Sequence, residues 1–576
     1  MDKRAVADIL ERIGTLLELK GENVFKTRAY QNGARALMAL EEDLAVLVAE
    51  NRLKDVKGIG AALCEKITLL VTTGRLEYYE KLKAEFPDGF EELLRVPGFG
   101  PKKAMLVMTE LKIATLDELE AAARAGSLAA LPGFGAKTEQ KILEGIEHVR
   151  KHAGRFLANV AESEANLLLA AIRDLPGVER VSLAGSLRRR LETSKDIDIV
   201  VAAREAAPIM AAFTSAPNVA AVTGHGETKS SVRLASGMAA DLRCVTPEEF
   251  PFALMYFTGS KAHNVAMRGR AQKMGWRLNE YALEKNDKPG VMKPCADEAA
   301  IYEALGLRYI EPELREDTGE LAASEAGTLP RLITDADIRG LLHQHTDWSD
   351  GQDTLDEMVR TAAGIGLEFF GITDHSQTAG YARGLSPERV RKQHHAIEAL
   401  QAVYAGKLRI FKGIESDILP DGRLDYDEET LALFDYLVAS VHSSFQLSEA
   451  DQTARIVRAV SHPKVRILGH PTGRLLLARD PYAVNLSHVF AACAANEVAV
   501  EINASPHRLD LDWREIRAAK EAGCRFSINP DAHNTHGLAE ERFGVGVARK
   551  GWLTAADVIN TWDADAIERF LRRGQV

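Results

Sequence analysis

"LAGSLRRRLETSKDIDIVVAA", Leu183–Ala203, holds a Gly-Ser turn, three arginines and an apolar run opened by two aspartates. The run from Asp196 is rich in Ile and Val and reads as a strand. Residues two apart on a strand face the same way, so Asp196 and Asp198 project together. Two carboxylates held side by side repel unless they share divalent cations. "GMAADLRCV", Gly237–Val245, is a second strand with one acid, Asp241. Three carboxylates on neighbouring strands make a two-metal platform for phosphoryl transfer. The Gly-Ser turn and Arg189 supply donors suited to a triphosphate.

This combination resembles the nucleotidyltransferase superfamily. "MYFTGSKAHNVAMRGRAQKMGWRLNEYAL", Met255–Leu283, narrows it. Together "GSLRR…DID", "YFTGS" and "LNEYAL" resemble the family X DNA polymerases, the group that includes DNA polymerase beta. The resemblance spans residues 1–315 and implies a lyase-like domain (1–80), fingers-like helices (81–155), a palm (156–248) and a nucleotide-selecting, thumb-like subdomain (249–315). It implies that Asp196, Asp198 and Asp241 are the catalytic triad, binding Mg2+ or Mn2+. Gly185, Ser186, Arg189 and Ser194 would contact the incoming triphosphate, with Lys195 beside them. Tyr256, Phe257 and Gly259 would line the sugar pocket, and Asn264 and Arg268 would sense the nascent pair. The chain departs from the animal enzyme at Lys195, Lys261 and Ala239, where that enzyme has glycine, an acid and arginine.

Upstream, "VKGIG" (Val56–Gly60), "VPGFG" (Val96–Gly100) and "LPGFG" (Leu131–Gly135) repeat one pattern, and each leads into a helical stretch with a lysine near its start. The pairs Gly58 and Gly60, Gly98 and Gly100, and Gly133 and Gly135 allow tight turns whose backbone N–H groups can face a phosphate. Lys102 stands just past the second. A single copy is an ordinary turn; three copies resemble helix-hairpin-helix motifs, which hold DNA backbones without reading sequence. By the same resemblance Lys66 matches a Schiff-base lysine, and Lys26, Tyr30 and Lys54 match a 5′-phosphate pocket. Ala62 stands where the animal lyase has a basic residue, so binding a gap's 5′-phosphate is favoured over cleavage there.

The formal net charge of −11 is uneven. Residues 1–155 hold 24 basic and 24 acidic side chains, residues 156–315 hold 20 of each, and the remainder hold 28 and 39. The neutral front half does not announce nucleic-acid binding by bulk charge, so any such binding must use local geometry. The shift falls near "EDTGELAASEAGTLP", Glu316–Pro330, a polar small-residue stretch within an expected linker, 316–336. Five scattered cysteines argue against a zinc ribbon or a disulfide framework and fit a reducing cytoplasm. No 18-residue apolar run and no signal-peptide pattern are present, so no membrane partner is expected.

Beyond the linker, apolar strand-like runs recur and each ends in polar groups: His343 and His345, Asp374 and His375, Glu415, His442, His470, Glu501 and Asn503, and Asp531 and His533. Helical stretches alternate with them. A β/α barrel builds its active site on that rim. Nine candidate ligands (His343, His345, Asp350, His375, Glu415, His442, His470, Asp531 and His533) exceed one ion's capacity. The set contains no cysteine and suits two or three ions of Zn2+, Mn2+ or Fe. The order "HxH…SDG…TDHS…GIE…VHSS…GHP…DAH" resembles the polymerase and histidinol phosphatase (PHP) family, placing a metal-dependent phosphoesterase barrel at 337–576.

The expected chain is therefore multidomain: an all-α helix-hairpin-helix region, an α+β nucleotidyltransferase palm and a distorted (β/α)7 barrel. The resemblances imply a monomeric polymerase that fills gaps in repair, taking gapped or primed DNA and deoxynucleoside triphosphates. They also imply a barrel that works as a 3′-5′ exonuclease or an abasic-site endonuclease. The alternatives are a template-independent nucleotidyltransferase with a small-molecule phosphatase barrel, and a non-catalytic DNA-end scaffold.

Overall fold

A computed structural model describes residues 3–38, 40, 44–56, 58–87 and 89–572. Lys57, inside the first glycine motif, lies outside the described residues. The chain forms two compact units, Met1–Ala153 and Gly154–Val576.

The first unit is helical. Each glycine motif runs into a helix: α1 (Ala61–Thr73), α2 (Pro101–Leu111) and α3 (Ala136–His152). One apolar core runs from Val6 through Ile67, Phe99 and Leu119 to Ile146. The expected division near residue 80 therefore does not separate two cores.

The second unit opens with a five-stranded sheet: β1 (Val178–Leu183), β2 (Asp196–Ala203), β3 (Val219–His225), β4 (Lys229–Leu234) and β5 (Ala239–Val245). Its spatial order is β1-β2-β5-β4-β3, with only β2 and β5 parallel. Ile197, Ile199 and Val201 alternate toward a core shared with two helices, Ala158–Ile172 and Ala207–Thr214, which sends Asp196 and Asp198 to the other face. The short α4 (Gly185–Arg188) holds the Gly-Ser turn, and α5 (Lys261–Lys273) follows the sheet.

The stretch expected to be a linker is packed. It carries α6 (Glu320–Ala326), and Leu332 and Ile333 are buried. Glu320 lies 2.7 Å from His263 Nδ1 and accepts the N–H groups of Asp317 and Thr318. Polar, small-residue composition suggested solvent, but these polar groups are satisfied internally. Just before it, Arg315 is fully buried and its Nη1 donates 2.6 Å to Glu298, which also accepts from Arg188.

The last segment is a seven-stranded parallel sheet in chain order: β6 (Gly340–Leu341), β7 (Phe369–Ile372), β8 (Arg409–Asp417), β9 (Tyr436–Ser440), β10 (Val465–Leu468), β11 (Ala499–Asn503) and β12 (Phe526–Asn529). A parallel bridge between Gln344 and Ala532 brings its first and last members together, as a barrel requires. Leu342, Phe369, Phe411, Tyr436 and Ile467 fill the interior. The helix α7 (Glu541–Lys550) packs against β11 and β12.

The barrel meets the palm and the thumb-like segment through ion pairs of one polarity. Arg542, Arg514, Arg549 and Lys550 of the barrel face Glu162, Glu192, Glu313 and Glu316 at 2.6–2.9 Å. Among the described residues no helix is long and apolar enough to cross a membrane.

Burial works against the Glu298 carboxylate, but Arg315 and Arg188 outweigh it and hold its pKa at about 2. The stability it contributes is present above the usual carboxylate range and lost as pH falls from there toward 2. Glu298→Gln leaves Arg315 buried without its counter-charge and should cost about 3–5 kcal/mol in denaturant unfolding at pH 7. A loss below about 1 kcal/mol would mean the pair is not structural.

Candidate metal centres and DNA-contact turns

In the palm, register sets the geometry. Asp198 on β2 pairs directly with Asp241 on β5. Burial, then Asp196 and Asp241, push the Asp198 carboxyl up to about 6. Lys229, from β4, reaches Asp241 at 2.7 Å. Gly185 is in the left-handed region (φ 60°), and a Cβ there would lie 2.3 Å from Asp198 Oδ2, so only glycine fits this turn.

Beside the carboxylates lies a cleft of about 470 Å³, lined by Gly185, Ser186, Arg189, Asp196, Asp198, Tyr256, Phe257, Gly259, Lys261, Asn264 and Arg268. Sequence reasoning had singled out all of these except Lys261 as site residues. Ser194 stands behind it, with its hydroxyl 2.6 Å from that of Ser186 and donating to Asp196 O. Lys195 is exposed and does not line the cleft. The Arg189 guanidinium donates to Thr258 O, against Gly259, and to Glu316. Asn264 donates to Tyr256 O while its own buried Oδ1 has no partner, an acceptor aimed at nothing the protein supplies. The donor set fits hard divalent ions: carboxylates crowd together with one carboxyl raised by its neighbours.

In the barrel, all nine predicted ligands converge. Glu415 is the hub. His375 Nδ1 and His470 Nε2 approach it at 2.9 Å, and His343 and His442 at 3.3 Å. Asp531 lies 3.1 Å from His345 Nε2, and Asp350 lies 3.5 Å from His533 Nε2. Three overlapping groups of ligand atoms could each hold an ion: His345, Asp350, His375 and His533; His343, His345 and Glu415; and His375, Glu415 and His442. Buried ring nitrogens of His343, His345, His375 and His470 have no hydrogen-bond partner. Burial works against charge on His442, but Glu415 and Asp417 lift it to about 9; burial and the charges of His533 and His375 bring His345 down to about 4. Orphaned imidazole nitrogens beside buried carboxylates fit transition-metal ions.

Two further carboxylates support the ligands: Glu501, read from the sequence as a strand-end group without a partner, and Asp417, which sequence reasoning missed. Glu501 accepts from His343 Nδ1 at 2.7 Å, and Asp417 from His442 Nδ1 at 2.5 Å. Such pairing fixes tautomer and ring orientation in a ligating histidine. Asp417 follows Glu415 by two residues on β8, a spacing that could have been noticed. Asp374, by contrast, is spent on Thr346, Ser349 and Gln393, and Asp347 is exposed. His394 lies off the strand ends and is buried edge-on to Phe434 on the inward face of its helix, away from the ligand cluster.

In the first unit the three glycine motifs share one geometry. Gly58, Gly98 and Gly133 have φ of 96°, 73° and 81°, and Gly60, Gly100 and Gly135 are the N-caps of α1, α2 and α3. Lys102, Lys26 and Lys54 are exposed. Tyr30 is buried and stacks on Tyr78, with ring centroids 6.4 Å apart. Lys66 holds its ammonium 5.4 Å above the Tyr78 ring.

The family model for the DNA polymerase beta thumb matches residues 253–316, and that for the PHP domain matches 342–505. Models for a helix-hairpin-helix domain and a SAM-like helix-hairpin-helix tandem match residues 1–76 and 90–147. The DNA polymerase/3′-5′ exonuclease PolX of Bacillus subtilis is 37% identical over 575 residues, covering 100% of both chains. Probable phosphatases of Thermoanaerobacter sp. and Photobacterium profundum are 27% identical over 40% and 33% of this chain.

A raised Asp198 pKa means that folding disfavours its charged form. The cost is absent below the unfolded value near 4 and complete above about 6. Asp198→Asn should therefore stabilise the metal-free protein at pH 8 by roughly 1–3 kcal/mol, with the gain fading toward pH 4. Stabilisation by added Mg2+ should shrink in the same variant. Thermal unfolding with and without Mg2+ checks both; unchanged melting at pH 8 would place Asp198 outside a repelling cluster.

Proposed function

The chain belongs to the family X DNA polymerases that carry a PHP domain, and on that footing we propose that it fills short gaps in DNA by template-directed nucleotidyl transfer and trims 3′ ends in the barrel. The carrying observation is the presence in one chain of two acidic centres: Asp196 and Asp198 lining an open palm cleft with Asp241 as the register partner of Asp198, and clustered His, Asp and Glu ligand atoms on the barrel rim.

Asp196, Asp198 and Asp241 would hold Mg2+ or Mn2+, and the nine barrel residues two or three ions of Zn2+, Mn2+ or Fe. The chemistry such ions supply is neutralisation of phosphate charge and activation of the attacking oxygen. The chain's own groups do the rest. Ser186, steadied by Ser194, and Arg189 bind the triphosphate. Tyr256 and Phe257, packed edge to face at 5.2 Å, wall the sugar. The free Asn264 Oδ1 and the exposed Arg268 face the nascent pair. The N-capping glycine turns present backbone N–H groups to phosphates, and Lys26 and Lys54 add charge. Lys66, half-exposed on an aromatic face, suits a charged anchor better than a Schiff-base nucleophile.

For the barrel, a nucleic-acid substrate is favoured over a small phosphoester by Tyr381. This ring is 70% exposed, yet stands 6.0 Å from His375 and 6.5 Å from His442. An exposed aromatic beside the ligands offers a base a stacking surface, worth about 1–3 kcal/mol. We assign the protein to the bacterial cytoplasm as a monomer.

The two sites should fail independently. His343→Ala with His345→Ala is expected to abolish 3′-end hydrolysis and preserve gap filling, and Asp196→Ala with Asp198→Ala the reverse. Mn2+ should support hydrolysis better than Mg2+. Parent-rate degradation by a folded histidine double mutant would remove the nuclease from the barrel.

Tyr381→Ala should raise the KM for single-stranded 3′ ends roughly tenfold, as the loss of one stacked base implies. Hydrolysis of a small aliphatic phosphoester should be unaffected. Equal losses on both substrates would make Tyr381 a wall of the metal site.

A further inference from the structure

Lys550 ends α7, outside both sites, and is buried to 1% exposure. A buried ammonium is costly unless its donors are satisfied. Lys550 Nζ donates to Glu316 Oε1 at 2.6 Å, to Arg189 O at 3.1 Å and to Glu313 O at 3.3 Å. All three acceptors belong to the palm and thumb-like segments. Two of the three bonds converge on Arg189. One holds its carbonyl directly. The other holds Glu316, whose same oxygen accepts from Arg189 Nε at 3.0 Å. The lysine therefore grips the triphosphate-binding arginine at its backbone and, through Glu316, at its guanidinium.

The surroundings are built for this grip. Gly546, one turn earlier on α7, lies against Arg190; a Cβ there would come within 3.3 Å of the Arg190 Cβ. Arg190 itself takes the left-handed conformation (φ 56°) that turns the chain after Arg189. The Trp513 ring, 4.7 Å from Lys550 Nζ, closes the remaining side. Interface adhesion alone does not need this arrangement. Arg542 and Arg514 already pair with palm acids, and their side chains stay 38% and 53% exposed.

We propose that Lys550, on the exonuclease barrel, is a positioning residue for nucleotidyl transfer, fixing Arg189 where it meets the triphosphate. This rests on the polymerase reading above. Arginine binds phosphate through a planar fork whose value depends on orientation, so a guanidinium held at Nε and Nη1 is aimed before nucleotide arrives. Without the Lys550 grip, Glu316 is free to turn and Arg189 to swing, and nucleotide binding then carries the cost of ordering both.

The test uses the full chain on gapped DNA. If the parent protein adds no nucleotide, the polymerase reading fails and this proposal falls with it. With an active parent, Lys550→Met should raise the deoxynucleotide KM about tenfold, the scale of one charge-assisted hydrogen bond, and change kcat less. The rate of 3′-end hydrolysis should stay at the parent value. Glu316→Gln, which keeps the shape and removes the charge, should raise KM as well. The double variant should be no worse than Lys550→Met alone, because both act through one contact. An unchanged KM in folded Lys550→Met overturns the proposal. So does a parallel fall of both activities with the melting temperature, which would make Lys550 general interface packing. If Lys550→Met fails to fold, Glu316→Gln decides by the same KM criterion.

Discussion

Asp198 and Asp241 are register partners on adjacent parallel strands, so their repulsion cannot be relieved by sliding one strand past the other. A one-residue slip would turn every inward side chain of β2 out of the core. The apolar residues that bury one face of the sheet thus force the acids together on the other. The barrel meets the same constraint differently. Its parallel strands deliver acids and imidazoles to one rim, where each buried carboxylate is surrounded by rings. The palm leaves its acids beside an open cleft, as a site for a large charged substrate and hard ions must. The barrel buries most of its candidate ligands and leaves Asp350 and His533 32% and 34% exposed, as a site for softer ions can.

Much of this was legible because strand and turn patterns are local. The alternation from Asp196 to Ala203 gave both the strand and the face of its acids. The repeated glycine pairs gave three turns with one dihedral pattern, since only glycine adopts that conformation without strain. The barrel rim was readable because six of the seven apolar runs stopped at a candidate ligand. Contacts between distant segments were not readable. Tyr30 matched a pocket position but is turned inward by Tyr78. The stretch Glu316–Pro330 looked like a linker because its anchors, Arg189 and His263, lie far back in the chain. Glu501 was seen at a strand end, but its pairing with His343 across 158 residues could only come from the fold.

Net charge says little about any one face. The segment after residue 315 carries the acidic surplus, and several of its carboxylates sit among the candidate metal ligands. Its α7 and neighbouring elements nevertheless gather Arg514, Arg542, Arg549 and Lys550 against the acids of the preceding domains. A segment's sign describes its total, not any one of its faces.

That basic face bears on how such a chain can be recombined. Family boundaries place a cut between the thumb-like segment and the barrel, near residue 316, and suggest interchangeable modules. Cutting there would strand Glu162, Glu192 and Glu313 at a bare surface and leave Glu316 without its buried lysine. A transplanted barrel would have to bring the same four cations at the same spacing. The two sites are separable in chemistry, but the surfaces that join their domains are matched charge for charge, so neither can be exchanged without the other's complement.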